Sequence, residues 1–213
     1  MRRRIVRGIY SIVKKIVFKI QSKEDKKNNT DFTTMIGVED IGLDGAVHYE
    51  PTHIRIFGQL RRELGNVGPE DSILDVGCGK GMMLKFFSDF GFGRVDGLEY
   101  SEPIVEIAKK NMSTLGLNKC HIYCGDAREF DHYDDYNYIY MYNPFHEQIM
   151  EPCIDKIIES AKKNPRKIVL LYFNPKHADI LLSKGFKEFE IKKSWFDRTW
   201  NKYIPDMRGF YYF

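Results

Sequence analysis

The sequence predicts an α/β fold: one doubly wound, mostly parallel sheet with helices on both faces and an antiparallel hairpin at its C-terminal end. Three observations predict it. From residue 50 onward, short apolar runs of strand length alternate with amphipathic stretches of helical period, the order of repeated βαβ units. The first strong strand, Ser72 to Val76, runs straight into a glycine-rich turn and a helix, as at the ligand-binding edge of open α/β sheets. The tail holds two strand-like segments, Phe186 to Lys192 and Gly209 to Phe213, with no room for a crossover helix between them, and an antiparallel pair needs only a loop.

The elements follow in order. A helix over Pro51 to Leu64 precedes the sheet, and the strand Ser72 to Val76 is followed by a helix over Lys80 to Phe90. Arg94 to Tyr100 is the second strand, and a long helix runs from Glu102 to about Leu115. His121 to Cys124 and Tyr136 to Tyr142 are the third and fourth strands, and Glu147 to Lys163 is the next helix. Lys167 to Phe173 is the fifth strand, and His177 to Lys184 a short helix. At 213 residues the chain accommodates one domain with a substantial core and a short appendage.

That appendage is N-terminal. Residues 1–27 hold ten Lys or Arg against two acids, a net of +8, so within a total of +3 the rest of the chain carries −5. Ile5, Ile9, Ile12, Val13, Ile16, Val17 and Ile20 recur at the spacing of one helical face. Lys14, Lys15 and Lys19 interrupt the apolar run, which excludes a membrane span of ~20 apolar residues and breaks the apolar core a secretory signal needs. Two readings remain: a helix lying on anionic lipid, or one docked on the domain's own surface. Aromatics are too sparse there to favour nucleic acid. The polar stretch 22–30 (SKEDKKNNT) is expected to be a linker or exposed loop, with the domain starting at about residue 31. The cysteines, Cys78, Cys120, Cys124 and Cys153, form no CxxC pair and have no histidine at zinc-site spacing, so reduced thiols, a cytoplasmic setting and no metal are expected.

The chemistry is concentrated at the strand ends. In Ile73-Leu74-Asp75-Val76-Gly77-Cys78-Gly79-Lys80-Gly81 a strand meets an acid and then three glycines. Glycines allow a ligand close to the backbone, and Cys78 reads as a small side chain filling the turn. The spacing is G-x-G-x-G, with Met82 where a dinucleotide fingerprint requires the last glycine. Asp75 is awkward beside a pyrophosphate but suits a ligand carrying an ammonium group. Glu99 ends the second strand, 24 residues after Asp75, where a carboxylate can accept hydrogen bonds from both ribose hydroxyls. Asp126, in Gly125-Asp126-Ala127, ends the third strand, where it can accept one from an exocyclic amine.

Taken together, these residues resemble the first motifs of the class I S-adenosylmethionine-dependent methyltransferases, over roughly residues 45–213, and look closest to small bacterial members of unassigned substrate. The resemblance implies a Rossmann-like fold with S-adenosylmethionine as cofactor. It places Asp75, Gly77, Cys78, Gly79, Gly81, Glu99, Tyr100, Asp126, Ala127 and Asn143 around that cofactor. The segment Tyr142-Asn143-Pro144-Phe145-His146 looks like a shortened form of the Asn-Pro-Pro-aromatic motif of methyltransferases acting on planar nitrogens, with one proline missing. By that likeness Asn143 and Phe145 face the acceptor. Asn-Pro is equally a tight turn closing the strand. His146 could act as a general base for an oxygen nucleophile. Upstream, Tyr49-Glu50-Pro51-Thr52 locally resembles the non-SET histone lysine methyltransferases, which makes Tyr49 a further catalytic candidate. The expected reaction is methyl transfer to an unidentified acceptor, either a small molecule or lipid-linked sugar or else a macromolecule such as protein lysine or a nucleobase. A non-catalytic cofactor-binding protein is the remaining alternative.

Overall fold

The computed structural model describes residues 2–36, 54–195 and 206–213. Seven strands form one sheet in the order β3-β2-β1-β4-β5-β7-β6. They are β1 (Ser72–Val76), β2 (Arg94–Glu99), β3 (Ile122–Cys124), β4 (Tyr138–Tyr142), β5 (Ile168–Phe173), β6 (Lys187–Phe189) and β7 (Met207–Tyr212). The first five are parallel to one another, and β7 is antiparallel to both β5 and β6. The expected hairpin is therefore present, with β7 inserted between β5 and β6 rather than added at the edge. The chain winds from β1 outward through β2 and β3, then returns to place β4 on the other side of β1. A crevice opens at the carboxyl ends of strands where the winding reverses in this way.

Period-two alternation assigns the two faces of the sheet. Leu74 and Val76 of β1 join Ile139 and Met141 of β4 on one face, covered by α5 (Glu147–Lys163) and α6 (Ala178–Ser183). Ile73 and Tyr140 belong to the opposite face, covered by α2 (Ile54–Glu63), α3 (Met82–Phe87) and α4 (Glu102–Thr114). Helix α5 follows from its sequence: Ile149, Met150, Cys153, Ile154, Ile157, Ile158 and Ala161 recur every three or four residues and all are buried. Each such aliphatic side chain contributes about 1.5–3 kcal/mol on burial, enough for the helix to tolerate Pro152 within it. Glu147 lies in its first turn, where a carboxylate opposes the helix dipole favourably, as expected.

Helix α1 (Arg2–Asn28) is longer than the sequence predicts. The polar stretch 22–30, expected as a loop, is instead the last turns of this helix up to Asn28, stopped by Asn29 in the left-handed conformation at φ 56°. The reason lies in Asp25, which is buried. Its carboxylate accepts hydrogen bonds from the Thr30 hydroxyl, the Phe32 amide, and the Thr33 amide and hydroxyl. A local composition that reads as solvated linker thus hides one residue that organises the reversal into the domain. Among the described residues, no helix is long and apolar enough to cross a membrane.

Candidate functional site

The site is built where β1 and β4 diverge. Gly77 (φ 78°), Gly79 (φ 52°) and Gly81 (φ 83°) all take left-handed backbone conformations after β1, so the turn closes tightly. The Gly77 and Cys78 amides both donate to the Leu98 carbonyl of β2, at 2.8 and 3.0 Å. The Gly79 amide donates to Glu99 Oε2 at 3.0 Å, and the Ser101 amide to Glu99 Oε1 at 3.0 Å. Glu99 therefore fixes the glycine turn and the start of α4 at once, and each oxygen keeps a further lone pair for a ligand.

Asp75 is buried on the α2–α4 side of the sheet, beside Gly97 of β2 and Tyr140 of β4. Among the described residues its carboxylate accepts no hydrogen bond. Burial, and next the neighbouring Glu99, push its pKa well above the usual aspartate range. Burial likewise raises Glu99, with the Ser101 and Gly79 amides acting in the opposite sense. The Tyr140 hydroxyl is buried without a hydrogen-bond partner among the described residues. Two carboxyl groups held apart from water, one of them unpartnered, favour a ligand that brings a cation and hydrogen-bond donors.

This arrangement has a measurable consequence. With its carboxyl pKa raised on folding, the ligand-free chain binds the Asp75 proton more tightly than the unfolded chain does. The contribution of Asp75 to stability is therefore greatest below the usual aspartate range, falls as pH rises toward the raised value and levels off above it. An Asp75→Asn variant is expected to melt higher than the parent at neutral pH, by about 2–4 °C per kcal/mol relieved. The same variant is expected to bind a cationic ligand more weakly. Calorimetric melting with and without ligand checks both.

The third acidic tip behaves differently. Asp126 follows β3, and the Gly125 amide beside it is tied to the Glu99 carbonyl at 3.0 Å. Its carboxylate accepts from the backbone amide and the guanidinium of Arg128, whose Nη2 lies 2.6 Å from Oδ2. That pairing holds Asp126 below the usual carboxylate range. A ligand amine there would share the carboxylate with Arg128. Ala127 is buried, and its carbonyl accepts from the Tyr133 hydroxyl at 2.9 Å. Tyr100 is exposed, next to Glu99.

Cys78 fills the turn, as expected. A Cβ on Gly97 would stand 2.6 Å from Cys78 Sγ, so the glycine in β2 exists to admit the thiol. Burial, followed by the charges of Asp75 and Glu99, raises the thiol well above its usual pKa, which disfavours the thiolate a nucleophile needs.

At the tip of β4, Asn143 is buried with φ 39°, its Oδ1 accepting from the Tyr172 hydroxyl at 3.4 Å and its Nδ2 making no hydrogen bond among the described residues. Pro144 sits directly on the glycine turn: a Cβ on Gly77 would stand 2.6 Å from Pro144 Cβ. Phe145, expected to stack on a planar acceptor, is instead buried in the core on the α5 side. With one proline missing from the motif, the ring falls on the inward face of the turn. His146 is exposed at the N-cap of α5 with no side-chain capping bond. Tyr49 and its segment lie outside the described residues.

Sequence reasoning missed one constellation. Lys80, inside the glycine turn, is fully buried, and its Nζ donates to Asp31 Oδ2 at 2.7 Å and to the Thr34 carbonyl at 2.8 Å. Asn111 of α4 accepts from the Asp31 amide and donates to the Asp31 and Lys80 carbonyls. The arm that follows α1 is thereby fastened to the glycine turn.

Residues 73–165 match the family model described as a methyltransferase domain. This segment, somewhat under half of the chain, is thus similar to methyltransferase domains. Among curated proteins, the chain is 34% identical over 108 residues to a "Probable cobalt-precorrin-6B C(15)-methyltransferase (decarboxylating)" of Methanococcus vannielii, covering 49% of this chain and 54% of that one. A relative of the same name from Methanococcus maripaludis is 30% identical over 101 residues, covering 46% of this chain and 55% of its own length. The chain thus spans about half the length of the curated relatives it matches. Among solved structures, the ribosomal protein L11 methylase of Lactobacillus delbrueckii superposes with a TM-score of 0.51 at 14% identity, over 73% of this chain and 75% of that one. The YcgJ protein of Bacillus subtilis gives 0.50 at 16% identity, over 65% and 71%. These two similarities concern the fold. The matched segment begins in β1 and contains Asp75, the glycine turn, Glu99, Asp126 and Asn143, the residues that the geometry gathers at the strand ends.

Proposed function

We propose that this protein transfers a methyl group from S-adenosylmethionine to a small-molecule acceptor at the carboxyl ends of β1 and β4. The observation that carries this reading is the unpartnered, buried Asp75 carboxylate beside Glu99 and the glycine turn, because it fits the ammonium and ribose groups of that cofactor together. Glu99 would hold the ribose hydroxyls, Asp75 the charge of the amino acid part, and the Asp126–Ala127 segment the adenine edge.

The cofactor supplies an already activated sulfonium methyl group. What the chain contributes is position and exclusion of water. Effective molarities of ~10⁵–10⁸ M for well-oriented reactants make positioning alone worth roughly 7–11 kcal/mol. Asn143, held at a positive φ with its amide nitrogen uncommitted, is the polar group at the tip of β4 that would orient an acceptor. With Phe145 in the core, that ring is not the platform for a planar nucleobase or amide that the Asn-Pro-aromatic likeness implied, and the case for a macromolecular acceptor weakens. The curated relatives' names, which specify a precorrin, agree with this.

Incubating the protein with methyl-labelled cofactor and fractionated cell extract tests the reading. Label is expected in the small-molecule or lipid-soluble fraction. Label confined to protein or nucleic acid would replace the acceptor class, and no S-adenosylhomocysteine above background would leave a binding protein instead of an enzyme.

A further inference from the structure

Helix α1 is about 40 Å long at 1.5 Å per residue, and it packs extensively against no other described helix or strand. Its orientation is nevertheless set. Asp25 turns inward, capping the return of the chain, and the Asp31–Lys80 ion pair fastens that return to the glycine turn. At 100° per residue, Ile16 lies about 180° round the helix from Asp25. The row Ile12, Ile16 and Ile20, with Val13 beside it, therefore points away from the side that holds the domain, and all four side chains are exposed, Ile12 by 60% and Ile16 by 54%. Over Ile12, Val13, Ile16 and Ile20 the apolar row is thus not docked on the domain.

Beside the isoleucine row runs a lysine row three residues on, Lys15, Lys19, Lys23 and Lys27, also exposed. No acid occupies the first turn, so the basic N-terminal end of the helix stands against its own dipole and gains from an external negative charge. We propose that α1 is a docking surface for an anionic phospholipid membrane, lying in the interface with the Ile12–Ile16–Ile20 row in the acyl boundary and the lysine row at the headgroups. Apolar side chains flanked by lysines suit lipid, since lysine stems follow apolar surface while the ammonium stays at the phosphates. A nucleic acid would use the lysines and leave the isoleucines in water. The excess of +8 in residues 1–27, against −5 for the rest, orients the molecule with its acidic body away from the surface.

Co-sedimentation of the full chain with vesicles tests this. Binding is expected to phosphatidylglycerol-containing vesicles and not to pure phosphatidylcholine vesicles, and it should weaken as salt is raised. Ile12→Asp/Ile16→Asp should bind at least about 100-fold more weakly. Lys19→Gln/Lys23→Gln should bind about 30-fold more weakly, at the attraction expected per lysine near an anionic surface. Both variants should keep the parent's melting temperature and cofactor binding, which shows that the domain is intact. Three results would overturn the proposal: no binding to anionic vesicles by the parent, vesicle binding indifferent to Ile12→Asp/Ile16→Asp, or a dimer in solution that this variant dissociates while the parent ignores vesicles.

Discussion

Replacing Glu99 with alanine is expected to weaken S-adenosylmethionine binding by at least about 100-fold while the chain stays folded. The carboxylate stands at the end of β2 with one oxygen on the Gly79 amide and the other on the Ser101 amide. A ribose diol would add two hydrogen bonds to a charged acceptor, each contributing about 1.5–3 kcal/mol. Losing both costs binding two to four orders of magnitude. Folding suffers less, because burial holds the Glu99 carboxyl above its usual pKa, and relief of that burden offsets part of the loss of its bonds to the Gly79 and Ser101 amides. Glu99→Gln should fall between parent and alanine variant, keeping the shape but losing the charge and one acceptor. Isothermal titration with cofactor, alongside circular dichroism, measures both arms, and cofactor affinity unchanged in Glu99→Ala would remove Glu99 from the site.

The second large effect is expected at Gly77. Alanine there must adopt φ 78° and bring its Cβ to 2.6 Å from Pro144 Cβ. The left-handed backbone costs roughly 1–2 kcal/mol and the overpacking about 1–3 kcal/mol, so Gly77→Ala should destabilise the chain by about 2–5 kcal/mol in urea denaturation. Cofactor binding should fall with it, since the turn and the β4 tip can no longer close together. Pro144→Gly made in the Gly77→Ala background removes the clashing Cβ and should recover the steric part but not the backbone part. Equal stability of the single and double variants would contradict the packing described for this crevice.

These two residues also show what was legible beforehand. The glycine spacing, Asp75 and Glu99 are local signals on strong strands, and their placement at one edge follows from parallel βαβ winding alone. Phe145 was harder: an aromatic after Asn-Pro reads as an acceptor platform, and only the turn geometry at φ 39° for Asn143 decides that the ring points into the core. Lys80 was visible as a charge inside a glycine turn, yet its partner Asp31 lies 49 residues earlier in a stretch with no periodic signal. Asp25 was hidden in the same way, because a polar string gives no sign of which carboxylate will be buried. Long-range polar pairing leaves no period in the sequence, whereas strand alternation and glycine turns do.

The fastening of the N-terminal arm gives the site a physical connection to α1. Asp25 holds Thr30, Phe32 and Thr33, and Asp31, Lys80 and Asn111 form a second set of hydrogen bonds, the two joined through the backbone of residues 30–33 between the last turn of that helix and the glycine turn. Burying Lys80 is tolerable because its ammonium is met by a carboxylate and a carbonyl at hydrogen-bond distance.

The most direct measurement is a crystal structure of the full chain with S-adenosylhomocysteine. The account predicts the nucleoside beyond the ends of β1, β2 and β3, with its ribose hydroxyls on Glu99 and its ammonium on the Asp75 side of the glycine turn. A ligand seated elsewhere, or one that leaves both carboxylates without contact, would contradict it.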